Sequence, residues 1–98
     1  MKSPTRQSRE AAELLAVQAL AFIAEDEGRL AGFLNVTGLT GAAIRDAANE
    51  PGFLAGVLEH MLADESLLIA FAEAAGIDPA AVARARAALG RIWERDLP

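Results

Sequence analysis

D-E-S-L-L-I-A-F-A-E-A-A-G-I-D-P-A-A-V-A-R-A, residues 64–85, carries the signals from which the fold can be read. Asp64 has the short acceptor side chain that caps a helix, and Leu67, Leu68 and Phe71 follow at helical spacing. Gly76 then stops that helix, because glycine takes the left-handed conformation without strain. Asp78-Pro79 starts another helix, with Val82, Ala85, Leu89 and Ile92 along one side. The stretch therefore predicts helix, glycine stop, cap, helix.

The same order of signals lies 38 residues upstream, over D-E-G-R-L-A-G-F-L-N-V-T-G-L-T-G-A-A-I-R-D-A, residues 26–47. Asp26 aligns with Asp64, Leu30 with Leu68, Phe33 with Phe71, Gly38 with Gly76, and Thr40 with Asp78. Ile44 and Ala47 align with Val82 and Ala85, and Leu20 and Ile23 with Leu58 and Met61. The matching positions are caps, breakers and core residues, so the chain reads as two three-helix halves related by a pseudo-twofold, the alternative being the ordinary likeness of alanine-rich helices with standard caps. Each half opens with a further helix. One runs from about Ser8 to Glu25, with Ser8 as its cap and Leu15, Leu20, Phe22 and Ile23 on more than one face. The other starts at Glu50-Pro51 and carries Phe53, Leu54, Val57, Leu58 and Met61.

Ninety-eight residues at 53% hydrophobic content suffice for one core, and the alanine-rich composition favours helix. The reading is a flexible tail over 1–7 and a single helical domain over 8–98. The chain contains no cysteine, which excludes disulfide and thiolate chemistry. The apolar run from Leu14 to Ala24 is interrupted by Gln18 and is shorter than the ~20 residues a membrane span needs. A cytoplasmic location is the expectation. Charge is uneven: between Glu10 and Asp78 twelve acids face only Arg29 and Arg45, while bases dominate both ends. Such a body repels nucleic acid at long range.

Few residues suit chemistry. His60 and Asp64 lie one turn apart on a helix and would fill at most half a zinc shell, so a surface or capping role is expected and no metal site is assigned. The acidic pairs Asp26-Glu27 and Asp64-Glu65 fit helix starts better than acid–base work. Gly32, Gly52 and Gly56 read as close-packing points. No catalytic, cofactor-binding or metal-binding residue is assigned, and no cofactor is expected. Ala72, Gly76, Ile77 and Val82 reproduce the spacing of a helix-turn-helix, but the second helix then opens with Pro79, Ala80, Ala81 and Ala83, few of which can hydrogen-bond a base edge. Arg84, Arg91 and Arg95, spaced by seven and four, form a stripe on a last helix that runs past Trp93. Arg84, Arg91, Trp93 and Arg95 are the candidate interaction surface, since an aromatic anchor with charged neighbours is common at binding hot spots.

The strings A-V-Q-A-L-A-F-I-A-E-D (16–26), R-L-A-G-F-L-N-V-T-G-L (29–39), F-L-A-G-V-L (53–58) and F-A-E-A-A-G-I-D-P (71–79) resemble a family of short bacterial proteins known only as a domain of unknown function. The similarity covers nearly the whole chain after Ser8. It implies a small helical cytoplasmic protein and brings no catalytic or binding residues. The combined expectation is an all-α bundle of five or six helices with the first and fourth at its centre. Its expected role is a non-catalytic interaction module, with a second copy or an unidentified protein as partner. A nucleic-acid-associated helix-turn-helix protein is the runner-up, and a binder of small apolar ligands comes third.

Overall fold

A computed structural model describes residues 6–48 and 50–90. Six helices follow one another: α1 (Arg6–Ala24), α2 (Glu27–Thr37), α3 (Gly41–Ala47), α4 (Pro51–Ala63), α5 (Glu65–Ala75) and α6 (Ala80–Leu89). There is no strand among the described residues. α1 begins two residues before Ser8, which therefore lies in its first turn and is not its cap.

Local chemistry sets the remaining helix ends. Asp26 accepts a hydrogen bond from the Arg29 amide at 2.9 Å, and Asp64 accepts one from the Leu67 amide at 3.2 Å. These caps open α2 and α5, each 11 residues long. Both helices close on a glycine with positive φ, 72° at Gly38 and 69° at Gly76, where any other residue would be strained. Thr40 accepts from the Ala43 amide at the start of α3, and Asp78 from the Ala80 amide at the start of α6. α4 begins with Pro51, whose missing N–H costs nothing in a first turn.

The centre is a triangle of α1, α4 and α6, each in contact with the other two, with α2 packed on α1 and α5 on α4. The expected centre of α1 and α4 therefore gains a third member. α1 buries one face, Ala12, Ala16, Ala19, Leu20 and Ile23, at the spacing of a single helical stripe. It is not surrounded, because Leu14 and Val17 on its far side are 61% and 44% exposed. Leu54, Ala55, Val57, Leu58 and Met61 of α4 and Val82, Ala85 and Leu89 of α6 complete the centre. Phe33 and Phe71 close it from α2 and α5.

The aromatic contacts expose the relation between the halves. Phe22 of α1 packs on Phe71 of α5, with ring centroids 5.5 Å apart. His60 of α4 packs edge-on against Phe33 of α2 at 5.1 Å. Residue 60 is the 38-residue counterpart of 22, and 71 that of 33. Each half thus lends a ring to the phenylalanine of the other, as a pseudo-twofold between α1 and α4 requires. The third helices break the relation. α6 packs along both α1 and α4, whereas α3 packs extensively on neither and buries no residue fully.

Candidate functional site

Of the expected arginine stripe, only Arg84 lies among the described residues. α6 stops at Leu89, and Gly90 leaves the helix with φ 71° and ψ −171°. Arg91, Trp93 and Arg95 lie outside the described residues. Arg84 is exposed on the outer side of α6. It edges a shallow groove of about 340 Å³ between α1 and α6, floored by Ala12, Leu15, Ala85 and Ala88.

Arg86, which the sequence reading did not single out, makes the specific contacts instead. Its Nε donates to Glu59 Oε1 of α4 at 2.8 Å, and Nη2 donates to the same oxygen. Nη1 donates to the Gly90 carbonyl at 2.6 Å. One guanidinium therefore ties α6 to α4 and satisfies a carbonyl at the C-terminal end of α6. Its side chain is 20% exposed and that of Glu59 60%, so solvent screens the pair and its role is mainly orientation. An Arg placed four residues before a helix-ending glycine was the available signal.

His60 and Asp64 each have a structural task. The His60 ring is half-buried against Phe33, and the Asp64 carboxylate holds the first turn of α5. Both line a groove of about 490 Å³ whose other wall is Gly28, Gly32 and Val36 of α2. Among the described residues no three His, Asp or Glu side chains gather as a metal-binding group. Asp26-Glu27 and Asp64-Glu65 are cap and first-turn residues. Gly32 and Gly56 are not close-packing points: a Cβ at either would meet nothing within 4 Å.

α5 and α6 meet at 98°, within the range of a helix-turn-helix. The spacing of Ala72, Gly76, Ile77 and Val82 does encode that turn. The outward side of α6, however, carries Ala80, Ala83 and Ala87 beside Arg84. Three methyl groups and one cation offer little to base edges, whose readout needs several hydrogen-bonding side chains.

The widest exposure of large apolar side chains on one helix is on α1. Leu14 and Val17 stand in a row with exposed Ala21 and Ala24 at spacings of three, four and three. Glu10, Glu13 and Glu25 border that row. Ala21 and Glu25 also edge a groove of about 390 Å³ floored by Phe22 and Phe71, so the strip continues into a recess between α1 and α5.

Fold and surface together define a small all-α bundle of two interlocked halves with, among the described residues, an open face on α1. The chain belongs to the family described as Protein of unknown function (DUF3572), which matches residues 9–91, all six helices but for the first three residues of α1. No curated protein and no solved structure matches the chain.

Proposed function

We propose that this protein is a non-catalytic interaction module of the cytoplasm, engaging another protein chain through the outer face of α1. The carrying observation is the pair Leu14 and Val17, 61% and 44% exposed on a helix whose other face builds the core. Leaving two branched aliphatic side chains in water on a rigid helix forgoes roughly 1.5–3 kcal/mol each, which burial against a partner recovers. Of the arginine and tryptophan surface expected from the sequence, Arg91, Trp93 and Arg95 lie outside the described residues, and the α1 face is proposed on its own observations.

A photo-crosslinking residue at position 14 or 17, tested in living cells against the same residue at position 83, examines the reading. Discrete protein adducts, whether to a second copy or to a different protein, are expected from 14 and 17 and not from 83. Equal labelling from all three positions, or none from 14 and 17, overturns it.

Nucleic-acid association is the second reading, supported by the 98° angle between α5 and α6. It requires binding to duplex DNA that weakens steeply with salt and on Arg84→Ala. Salt-insensitive binding, or none, removes it.

A further inference from the structure

We infer that the open face of α1 is a seat for one amphipathic helix of a different protein, with a row of apolar side chains bordered by lysine or arginine. The inference rests on the interaction reading above and adds the class of partner.

The template is inside the molecule. Arg86 bonds to Glu59 and so sets α6 beside the Glu59 side of α4. On that side, one turn earlier, Ala55 is 1% exposed. The 38-residue counterparts of Ala55 and Glu59 on α1 are Val17 and Ala21. There the same side is bare, with Val17 44% exposed and Ala21 exposed. The helix that would cover it by analogy is α3, which is seven residues long and has no extensive contact with α1. The first half therefore lacks the covering helix that the second half possesses. What α6 brings to α4 is an apolar row, Val82, Ala85 and Leu89, with an arginine beside it that meets a glutamate.

Charge selects among occupants. Glu10, Glu13 and Glu25 border the α1 face, and no basic residue occurs between Glu10 and Glu25. A second copy offering the same face would gather both sets of carboxylates in one seam, with cations only at its ends, Arg9 at the start of α1 and Arg29 over the Phe22 ring. A helix with basic flanks neutralises all three while its apolar row covers Leu14, Val17 and Ala21. Helix-in-groove recognition of this kind needs anchors spaced by three and four, which is how these three residues are arranged.

The probe is a fluorescently labelled peptide of leucine, alanine and lysine, about five helical turns long, with leucines spaced by three and four. A twin peptide carries glutamate for every lysine. Anisotropy titration of the full chain should give saturable binding of the lysine peptide and at least about tenfold weaker binding of the twin. Leu14→Ser with Val17→Ser should weaken the lysine peptide by about tenfold or more with unchanged circular dichroism and melting. Glu10→Gln, Glu13→Gln and Glu25→Gln together should weaken it and flatten its salt dependence. Ile69→Ser, at an exposed apolar site on α5, is the control and should change nothing. Equal affinity for both peptides, or undiminished binding by the serine variant, overturns the partner class. If neither peptide binds but the native chain self-associates and Leu14→Ser makes it monomeric, the basic-helix assignment falls and the interaction reading survives. If neither peptide binds and no association or adduct forms through α1, both fall.

Discussion

Set α1–α2–α3 over α4–α5–α6 and the local structure coincides almost residue for residue. Asp26 and Asp64 cap, Gly38 and Gly76 stop, and Phe33 and Phe71 are buried. The third helices then part company. α6 has 10 residues against seven in α3, and α1 has 19 against 13 in α4. Ser8, Ala11 and Ala12, in the part of α1 that has no counterpart in α4, share a groove with Ala81, Arg84, Ala85 and Ala88 of α6. The difference teaches that a repeat can conserve its turns and caps while one added contact, between the start of α1 and α6, decides which third helix joins the core. One side of the molecule is completed and the corresponding side is left open.

The largest test of the equivalence is truncation of the paired phenylalanines. Phe33→Ala and Phe71→Ala should each cost about 3–5 kcal/mol, since each removes a buried ring and leaves a cavity. The two losses should be similar in chemical denaturation. A loss confined to one of them would show that only one half is built as described.

The third helices supply the sharpest contrast. Ala47 and Ala85 are counterparts, but only Ala85 is buried, at 8% exposure. Ala85→Asp should cost about 3 kcal/mol or more, because it sets an uncompensated charge between helices. Ala47→Asp should cost about 1 kcal/mol, because Ala47 is only half-buried and the charge can reach water. Equal melting temperatures for the two variants would dissolve the asymmetry.

Asp26→Ala and Asp64→Ala should each remove about 1 kcal/mol, the usual loss of a helix cap. Their effects should add, because the two caps share no partner. A strongly non-additive double variant would mean that α2 and α5 form as one unit.

The smallest effects come from glycines that only one half possesses. Gly32 corresponds to Ala70, and Gly56 to Gln18. Both glycines sit in helix interiors with open space where a Cβ would project. Gly32→Ala and Gly56→Ala should each stabilise by about 0.5–1 kcal/mol, raising the melting temperature by a few degrees. A decrease would place an undetected close contact at that site.

Much of this architecture is legible in the sequence, and the limits have identifiable causes. Helix boundaries follow from Asp26, Gly38, Thr40, Pro51, Asp64, Gly76 and Asp78 because capping and left-handed glycine act within four residues of chain. At Gly90 the same signal lies between an alanine-rich run and apolar residues, so the sequence predicts a last helix past it, while α6 ends at Leu89 and residues 91–98 lie outside the described residues. Arg86 was one of four nearby arginines, and only its distance to Glu59, 27 residues away, distinguishes it. His60 is expected in a surface or capping role beside Asp64, and its aromatic partner Phe33, also 27 residues away, shows only in the fold.

By itself the sequence determined that six helices form, where five of them begin, and that two aligned phenylalanines belong inside. Those outcomes depend on contacts between near neighbours, and near neighbours are written in order. Only the tertiary structure decided that Ala55 is covered and Val17 is not, although the two occupy equivalent places in the repeat. Burial depends on which distant helix arrives to exclude water, and α6 arrives at α4 while α3 leaves α1 bare. The face that carries the proposed function was therefore invisible in the pattern that revealed the fold.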